Sequence, residues 1–304
     1  MLSRLLSDVL FEFEHAAKRR AGCLDSDANL SSPLTMWTSI KRLLDDTYLH
    51  PRHISRREIA NFVRTEGPRL SGRLLDVGCG KKPYGRLLPN VSQHWGSDMP
   101  STMHGLEHAN VFASALALPF PDQTFDSVMC TEVLEHTPDP ATGLREMARV
   151  AKPDALLLLT VPASEQLHEK PYDYCRFTCY WLEYLMNETG WEIMRLQPRG
   201  GAWLEMGYRF SSFLYTTLGA TSDPHGKLTP RPFASWFVVP ICAGVQVLAV
   251  LLDNLWPSNV STMGYGAIAR RRLDVVSESG SLPGIASPAA NFELERCEQR
   301  AGDD

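Results

Sequence analysis

Between residues 73 and 198 the sequence alternates short apolar segments with amphipathic ones, and this alternation limits the fold more than any other feature. The apolar segments typical of buried strands are 73–77, 91–98, 109–114, 125–132, 154–162 and 191–198. Segments 140–151 and 178–190 repeat their apolar residues at helical spacing instead. The alternation predicts βα units, and therefore an α/β fold whose mostly parallel sheet carries helices on both faces. Ligands of such sheets bind beyond the carboxyl ends of the strands.

The rest of the chain differs from this core in composition. Residues 1–70 are predicted to form a helical extension that begins with an amphipathic helix. The α/β core occupies 71–200 and returns at 261–272 with a last strand. Residues 201–260, rich in Trp, Phe, Tyr and Leu, are predicted to be an apolar helical insertion. The tail 273–304 is rich in Ser, Pro, Ala and Glu and is predicted to be disordered.

Charge and cysteine content exclude several classes of protein. A net charge of −5 and a pI near 6.0 argue against nucleic acid as the main partner. Seven scattered cysteines without paired CxxC spacing favour free thiols in a reducing compartment. Asp8, Glu12 and Glu14 interrupt the apolar run that a secretion signal would need. We therefore expect a cytoplasmic protein, with attachment to the inner face of the membrane as an alternative.

That alternative rests on the apolar segment 233–252, which contains no charged residue and is about as long as a bilayer core. Trp236 and Trp256 flank it in the manner of an interfacial belt. Pro240 and Gly244 weaken a single membrane span. A buried or lid helix is the favoured interpretation, membrane-surface contact through 233–256 comes second, and a span comes last.

A glycine turn follows the first strand of the core. Gly78 and Gly80 let the backbone approach a ligand closely. About twenty residues later Asp98 ends the second strand, where an acid can accept hydrogen bonds from ribose hydroxyls. Pro83 removes one of the amides that a pyrophosphate would need. Asp76 can accept an ammonium group. The loop therefore favours a cofactor with an amino-acid end over a dinucleotide.

Several longer motifs agree with this interpretation. "LLDVGCG" (74–80), the acid at 98, "LALPFPDQTFDSVMCTEVLEHTPDP" (116–140), "LREMARVAKPDALLLLTVP" (144–162) and "RFTCYWLEYLMNETGWEIM" (176–194) resemble, in order and spacing, the class I S-adenosylmethionine-dependent methyltransferases. The resemblance covers roughly residues 72–199. It implies a Rossmann-like, seven-stranded sheet with an antiparallel last strand and S-adenosyl-L-methionine as cofactor. "GCGKKPYGRLL" and "HEKPYDYCRFT" further resemble a bacterial subgroup associated with cell-envelope saccharide or lipid-linked synthesis.

The resemblance also implies roles for individual residues. Asp76, Gly78 and Gly80 would hold the methionyl end of the cofactor, Asp98 would bind the ribose hydroxyls, and Met99 would pack beside the adenine. The positions implied near the adenine and the methyl group are Ser114, Ala115, Thr131 and Glu132.

One of these positions departs from the family pattern. Ser114 stands where the family commonly has an aspartate that reaches the adenine amino group, and a hydroxyl offers an uncharged acceptor there. The adenine contact at this position is therefore weaker than in the family pattern.

Transfer to a hydroxyl requires a base, and the candidates are His136, His168 and Asp173. The last two lie in "LHEKPYDYCRFT" (167–178), which follows the fifth strand and whose polar and aromatic residues predict acceptor recognition. The residues predicted to contact the acceptor are Tyr172, Tyr174 and Arg176. No metal ligand is assigned, although the spacing of Glu132, Glu135 and His136 is compatible with a divalent ion.

The sequence thus predicts methyl transfer from S-adenosyl-L-methionine, at an oxygen, to a small-molecule or lipid- or saccharide-linked acceptor. Two alternatives stay open. One is a catalytically inactive, methyltransferase-like binding protein, which Ser114 favours. The other is a nicotinamide-dependent oxidoreductase, which the missing third glycine and Pro83 disfavour.

Overall fold

The structure is a computed structural model that describes residues 50–101, 105, 107–224 and 228–272. The amphipathic helix predicted at the start of the chain and the tail predicted from 273 lie outside the described residues. The described chain divides into two compact units. The sheet unit contains Thr65–Val161, Phe177–Gln197 and residues 265–272, and the helical unit contains residues 50–64, Pro162–Arg176 and Pro198–Gly264.

Nine strands and five α-helices make up the described residues. The strands are β1 (Gly72–Val77), β2 (Val91–Asp98), β3 (Val111–Phe112), β4 (Phe125–Thr131), β5 (Ala151–Pro162), β6 (Trp191–Pro198), β7 (Ala220–Ser222), β8 (Leu228–Pro230) and β9 (Gly264–Arg271). The helices are α1 (His53–Glu66), α2 (Pro140–Val150), α3 (Cys179–Glu188), α4 (Ala202–Leu214) and α5 (Pro232–Leu255).

Seven strands form one sheet in the order β3-β2-β1-β4-β5-β9-β6. The neighbours from β3 to β5 pair in parallel, and the last strand of the chain is antiparallel. This arrangement confirms the predicted seven-stranded, Rossmann-like class I fold. The carboxyl ends of β1, β2 and β4 therefore lie along one edge of the sheet.

The central strands are buried on both faces, as their continuous apolar sequences predict. Leu75, Val128 and Leu157 occupy matching register positions on β1, β4 and β5 and are fully buried. Trp191 at the start of β6 is also fully buried, and its indole N–H donates to the carbonyl of Leu144 on α2 at 3.0 Å.

β5 begins three residues earlier than the sequence predicted. Ala151 pairs with Phe125, and the register then shifts before Leu156 pairs with Ser127. Asp154 takes a left-handed conformation with φ of 62° in this interval. The composition of residues 152–154 suggests a turn. Because of the bulge, these exposed residues are part of the strand instead.

The helical unit has its own core, built where α4 packs against α5. A Cβ on Gly207 of α4 would lie 2.3 Å from the Cβ of Ala249 on α5, so glycine permits this close approach. Tyr208 is buried in the same core. Between the two helices the chain forms a π-helical turn at Tyr215–Gly219 and the antiparallel hairpin β7–β8, inside the segment that the sequence predicts as a helical insertion.

Candidate functional site

The glycine loop after β1 has a backbone shape that only glycine adopts without strain. Gly78 has φ of 66° and Gly80 φ of 48°, both in the left-handed region. A Cβ on Gly78 would lie 2.3 Å from Cγ2 of Val133. The amides of Gly78 and Cys79 donate to the carbonyl of Ser97 at 2.8 and 3.1 Å, which folds the loop back onto β2.

Asp98 at the end of β2 fixes the far side of this loop. Its Oδ2 accepts a hydrogen bond from the amide of Gly80 at 2.9 Å, and its Oδ1 accepts one from the amide of Met99 at 2.8 Å. A carboxylate offers about four acceptor positions, so these two bonds leave capacity for ribose hydroxyls. The geometry therefore fits the nucleoside role that the resemblance implies for Asp98.

Two exposed apolar side chains stand beside this acid. Met99 follows Asp98 directly and is 47% exposed, and Phe112 of β3, 56% exposed, is the register partner of Asp98. Apolar and aromatic surface of this kind suits a purine base, which is the neighbour that the resemblance implies for Met99. Sequence reasoning named Met99 but missed Phe112, which only the β2–β3 register brings to the site.

Asp76 is deeply buried in β1, and His94 of β2 contacts it. His94 Nε2 lies 2.8 Å from Asp76 Oδ2. Burial raises the pKa of Asp76 above its usual value, and the hydrogen bond from His94 only partly opposes this effect. An ammonium group at Asp76 would therefore share this carboxylate with His94, a residue that sequence reasoning missed.

Lys82, in the same loop, is half-buried, and its side chain is held by two hydrogen bonds. Its Nζ donates to the carbonyl of His94 at 2.9 Å and to Oδ1 of Asn110 at 2.8 Å. The side chain crosses Gly96, where a Cβ would lie 2.6 Å from Lys82 Cε. Lys82 therefore links the glycine loop to β2 and the segment before β3.

The remaining predicted cofactor positions lie at the ends of β3 and β4. Ser114 Oγ accepts the amide of Leu116 at 3.2 Å, and Ala115 is buried. Thr131 is the last residue of β4, and Glu132 follows with φ of 53° while its amide donates to Thr160 at 3.0 Å. Left-handed backbone at a residue other than glycine is a form of strain found at functional sites.

His136 ends the short turn Leu134–His136 that follows Glu132. Its Nε2 lies 3.8 Å from Oε1 of Glu135, whose side chain is fully buried. The amide of His136 donates to the carbonyl of Val133 at 2.9 Å. The turn places an imidazole beside a buried carboxylate in the sheet unit.

The loop after β5 is organised around an ion pair in the helical unit. Arg176 Nη1 and Nη2 donate to the two carboxylate oxygens of Asp173 at 2.6 and 2.8 Å. The guanidinium also donates to the carbonyls of Glu165, Gln166 and Cys175. Bidentate pairs of this kind fix geometry as well as charge.

His168 belongs to the same cluster. Its amide donates to Asp173 Oδ2 at 2.9 Å, and its Nδ1 lies 3.0 Å from the carbonyl oxygen of Gln166. Burial alone would raise the pKa of Asp173, but the hydrogen bonds from Arg176 and the His168 amide outweigh burial and lower it. The structure thus brings His168, Asp173 and Arg176 together and occupies both oxygens of Asp173.

The two predicted acceptor-binding tyrosines lie in this loop and are about half exposed, Tyr172 at 55% and Tyr174 at 50%. A second polar group, which sequence reasoning missed, joins the beginning of the loop to α4. Tyr208 donates to Glu165, and Ser164 Oγ donates to Glu205 Oε1 at 2.5 Å. These partners are about forty residues apart in sequence, and no local pattern pairs them.

Known proteins resemble the core of the chain and part of the sequence around it. Residues 75–159 match the family model described as a methyltransferase domain. A ubiquinone biosynthesis O-methyltransferase of Bordetella pertussis is 30% identical over 183 residues, which cover 56% of this chain and 67% of the relative. One of Pseudomonas fluorescens is 33% identical over 144 residues, covering 42% of this chain and 54% of the relative. A solved SAM-dependent methyltransferase of Archaeoglobus fulgidus has a TM-score of 0.43 at 16% identity, covering 71% of this chain and 94% of that one.

The family match includes the glycine loop, Asp98 and the β4 end, where the implied cofactor residues lie. Together with the relatives, it supports a SAM-dependent methyltransferase over the two alternatives that the sequence left open, the inactive binding protein and the nicotinamide-dependent oxidoreductase. The cofactor of the family is S-adenosyl-L-methionine. The chain belongs to the class I S-adenosylmethionine-dependent methyltransferases.

Proposed function

We propose that the chain methylates a hydroxyl oxygen of a small aromatic acceptor, with His168 as the base. The names of the relatives from Bordetella and Pseudomonas, ubiquinone biosynthesis O-methyltransferases, support oxygen as the methylated atom and an aromatic acceptor. The observation that carries the proposal is the hydrogen bond between Nδ1 of His168 and the carbonyl of Gln166.

This bond selects the tautomer of the imidazole. A carbonyl oxygen only accepts, so Nδ1 of a neutral His168 carries the hydrogen and Nε2 carries the lone pair. The amide of His168 is held by Asp173, whose carboxylate is in turn held by Arg176. Asp173 and Arg176 are therefore positioning residues in this proposal, and His168 Nε2 accepts the proton.

The chemistry needs little else from the protein. Bound S-adenosyl-L-methionine supplies a methyl group that is already activated by the positive sulfonium. The side chains have to orient the acceptor, exclude water and take the hydroxyl proton. A phenolic hydroxyl, with a pKa near 10, is closer to imidazole in acidity than an aliphatic alcohol is. Tyr172 and Tyr174 offer aromatic surface on which such a ring stacks.

The test compares catechol with 4-nitrocatechol, which is already ionised at pH 8, as methyl acceptors. His168→Gln should lower kcat for catechol by about 10²–10⁴-fold, the usual contribution of a general base. It should change kcat for 4-nitrocatechol much less, since the hydroxyl that is already ionised in that acceptor can take the methyl group without a base.

Two further measurements complete the test. Calorimetry with S-adenosylhomocysteine should show unchanged affinity in His168→Gln. His136→Gln is the matched variant for the other candidate histidine. Equal losses on both acceptors would exclude His168 as the base, and failure of the wild-type chain to methylate any phenol in a panel would overturn the aromatic-hydroxyl proposal.

A further inference from the structure

α5 carries a long apolar stripe that the protein leaves exposed. Phe233, Trp236 and Phe237 at its beginning are 89%, 78% and 76% exposed. The stripe continues at helical spacing along the same helix through Ile241, Leu248 and Leu255. The segment from Phe233 to Leu255 is long and apolar enough to cross a membrane, and only 28% of its most apolar stretch is buried.

α4 and the turn after it add a second exposed set of large apolar side chains. About half of each of these side chains is exposed, and they are Met206, Phe210, Phe213 and Leu218. Single exposed apolar residues are ordinary, but a soluble monomer rarely leaves so many together on two packed helices. The exposed apolar side chains of α4 and α5 therefore form a surface that favours contact with an apolar partner.

The opposite face of α5 is tied into the protein by polar contacts. Gln246 Nε2 donates to the carbonyl of His50 at 3.1 Å, and its Oε1 accepts the amide of Ile54 at 3.3 Å. Ser211 Oγ donates to the carbonyl of Cys242 at 3.2 Å. A spanning helix would lose these contacts to hydrocarbon, where unpaired polar groups are costly. A helix lying in the plane of the membrane surface keeps all of them.

The charged residues around the stripe indicate which kind of membrane surface it would bind. No acidic residue occurs in α5 before Asp253, and the exposed Arg231 immediately precedes the helix. Arg209, also exposed, neighbours Phe210 on α4, and its Nε lies 4.0 Å from Oε1 of the less exposed Glu205. Basic residues beside an apolar face match a bilayer with anionic head groups.

Tryptophans mark the two ends of the stripe. Trp236 and Trp256 are both largely exposed, and the carbonyl of Trp256 accepts the indole N–H of Trp203 at 2.9 Å. Indole rings favour the boundary between head groups and acyl chains. We propose that the helical unit docks on an anionic lipid bilayer with α5 in the plane of the interface and its exposed stripe inserted.

Co-sedimentation with vesicles tests this proposal on the full chain, without reference to methyl transfer. The wild type should sediment with phosphatidylcholine vesicles that contain phosphatidylglycerol, and less with phosphatidylcholine alone. The triple variant F233S/W236S/F237S should lower the partition coefficient at least tenfold. The double variant I241S/L248S, farther along the stripe, should also lower it. Arg209→Gln with Arg231→Gln should remove the preference for the anionic lipid.

Tyr180→Ser removes an exposed aromatic residue from the sheet unit and serves as the control, which should sediment like the wild type. S-adenosylhomocysteine binding shows that each variant is folded. Equal sedimentation of wild type and both stripe variants would overturn the proposal. Resistance to extraction by alkaline carbonate would overturn the in-plane placement in favour of a span. Dimerisation in analytical ultracentrifugation that the triple variant abolishes, without vesicle binding, would assign the stripe to a second copy of the chain.

Discussion

The carboxylate of Asp98 accepts a hydrogen bond of 2.9 Å from the backbone amide of Gly80, and this bond joins the end of β2 to the glycine loop after β1. The two residues are eighteen positions apart in sequence. They meet because β1 and β2 pair in parallel, with Val77 opposite Ser97. The acid that shapes the loop is therefore the one for which the resemblance implies contact with the nucleoside.

Replacing Asp98 should therefore affect both the cofactor and the loop. Asp98→Ala should weaken S-adenosylhomocysteine binding by about 1–3 kcal/mol, the usual cost of leaving polar groups unpaired, whereas Asp98→Asn should lose less because its amide oxygen still accepts one bond. Isothermal titration calorimetry measures both. Asp122→Ala, which removes an exposed acid from the same unit, is the control. Unchanged affinity in Asp98→Ala would remove this residue from the cofactor site.

Gly78→Ala tests the shape of the loop itself. The left-handed conformation costs a residue with a Cβ about 1–2 kcal/mol, and the new methyl group would also meet Val133. We expect cofactor affinity to fall by at least tenfold in the same titration. Gly85→Ala is a matched control, since a Cβ there finds its nearest atom at 3.7 Å. Similar losses in the two variants would mean that the loop shape at Gly78 is not what binding requires.

The succession of strands and helices along the chain, and the acids and glycines at the strand ends, could be predicted because they depend on local sequence. The seven-stranded sheet with its antiparallel last strand came from the resemblance to the methyltransferase family. Alternation of apolar segments indicates βα units, and a glycine pair after a strand indicates a tight turn. β5 was predicted too short because a Pro–Asp pair suggests a turn, whereas the structure accommodates it in a bulge.

The contacts that the sequence did not reveal join residues that only the folded sheet brings together. His94 reaches Asp76, and Lys82 reaches Asn110, through the pairing of β2 with its neighbours. The bidentate pairing of Asp173 with Arg176 is a further contact that the sequence did not reveal. A sequence pattern does not say which neighbour a polar loop residue pairs with, whereas the distances of 2.6 and 2.8 Å identify the partner here.

His94 should matter for stability because it donates to a buried carboxylate. His94→Leu should lower the free energy of unfolding by about 1.5–3 kcal/mol, the range for hydrogen bonds to charged groups, as measured by urea denaturation. His94→Gln can still donate and should retain part of that stability. If the two variants are equally stable, the contact between Asp76 and His94 contributes little.

The Asp173–Arg176 pair should hold the loop after β5 as one unit. A double-mutant cycle of Asp173→Asn and Arg176→Gln should therefore show coupling of about 0.5–3 kcal/mol in unfolding free energy. Each single variant should also speed hydrogen exchange of the His168 amide, which donates a hydrogen bond to Asp173. Arg176→Lys keeps the charge but not the planar fork, so we expect it to lose most of the coupling. Additive effects in the cycle would contradict a shared role.

Acid should destabilise the helical unit through His50. Burial, followed by repulsion from nearby arginines, lowers the pKa of His50 to about 3. Between its usual pKa near 6.5 and that value the unfolded chain binds a proton that the folded chain does not, so stability falls as pH falls, by up to about 1.4 kcal/mol per pH unit. Asparagine can replace the imidazole as acceptor for the Arg52 amide, so His50→Asn should flatten urea denaturation midpoints between pH 6.5 and 4.5. The exposed His108→Asn is the control, and equal slopes in the wild type and His50→Asn would show that His50 does not cause the acid sensitivity.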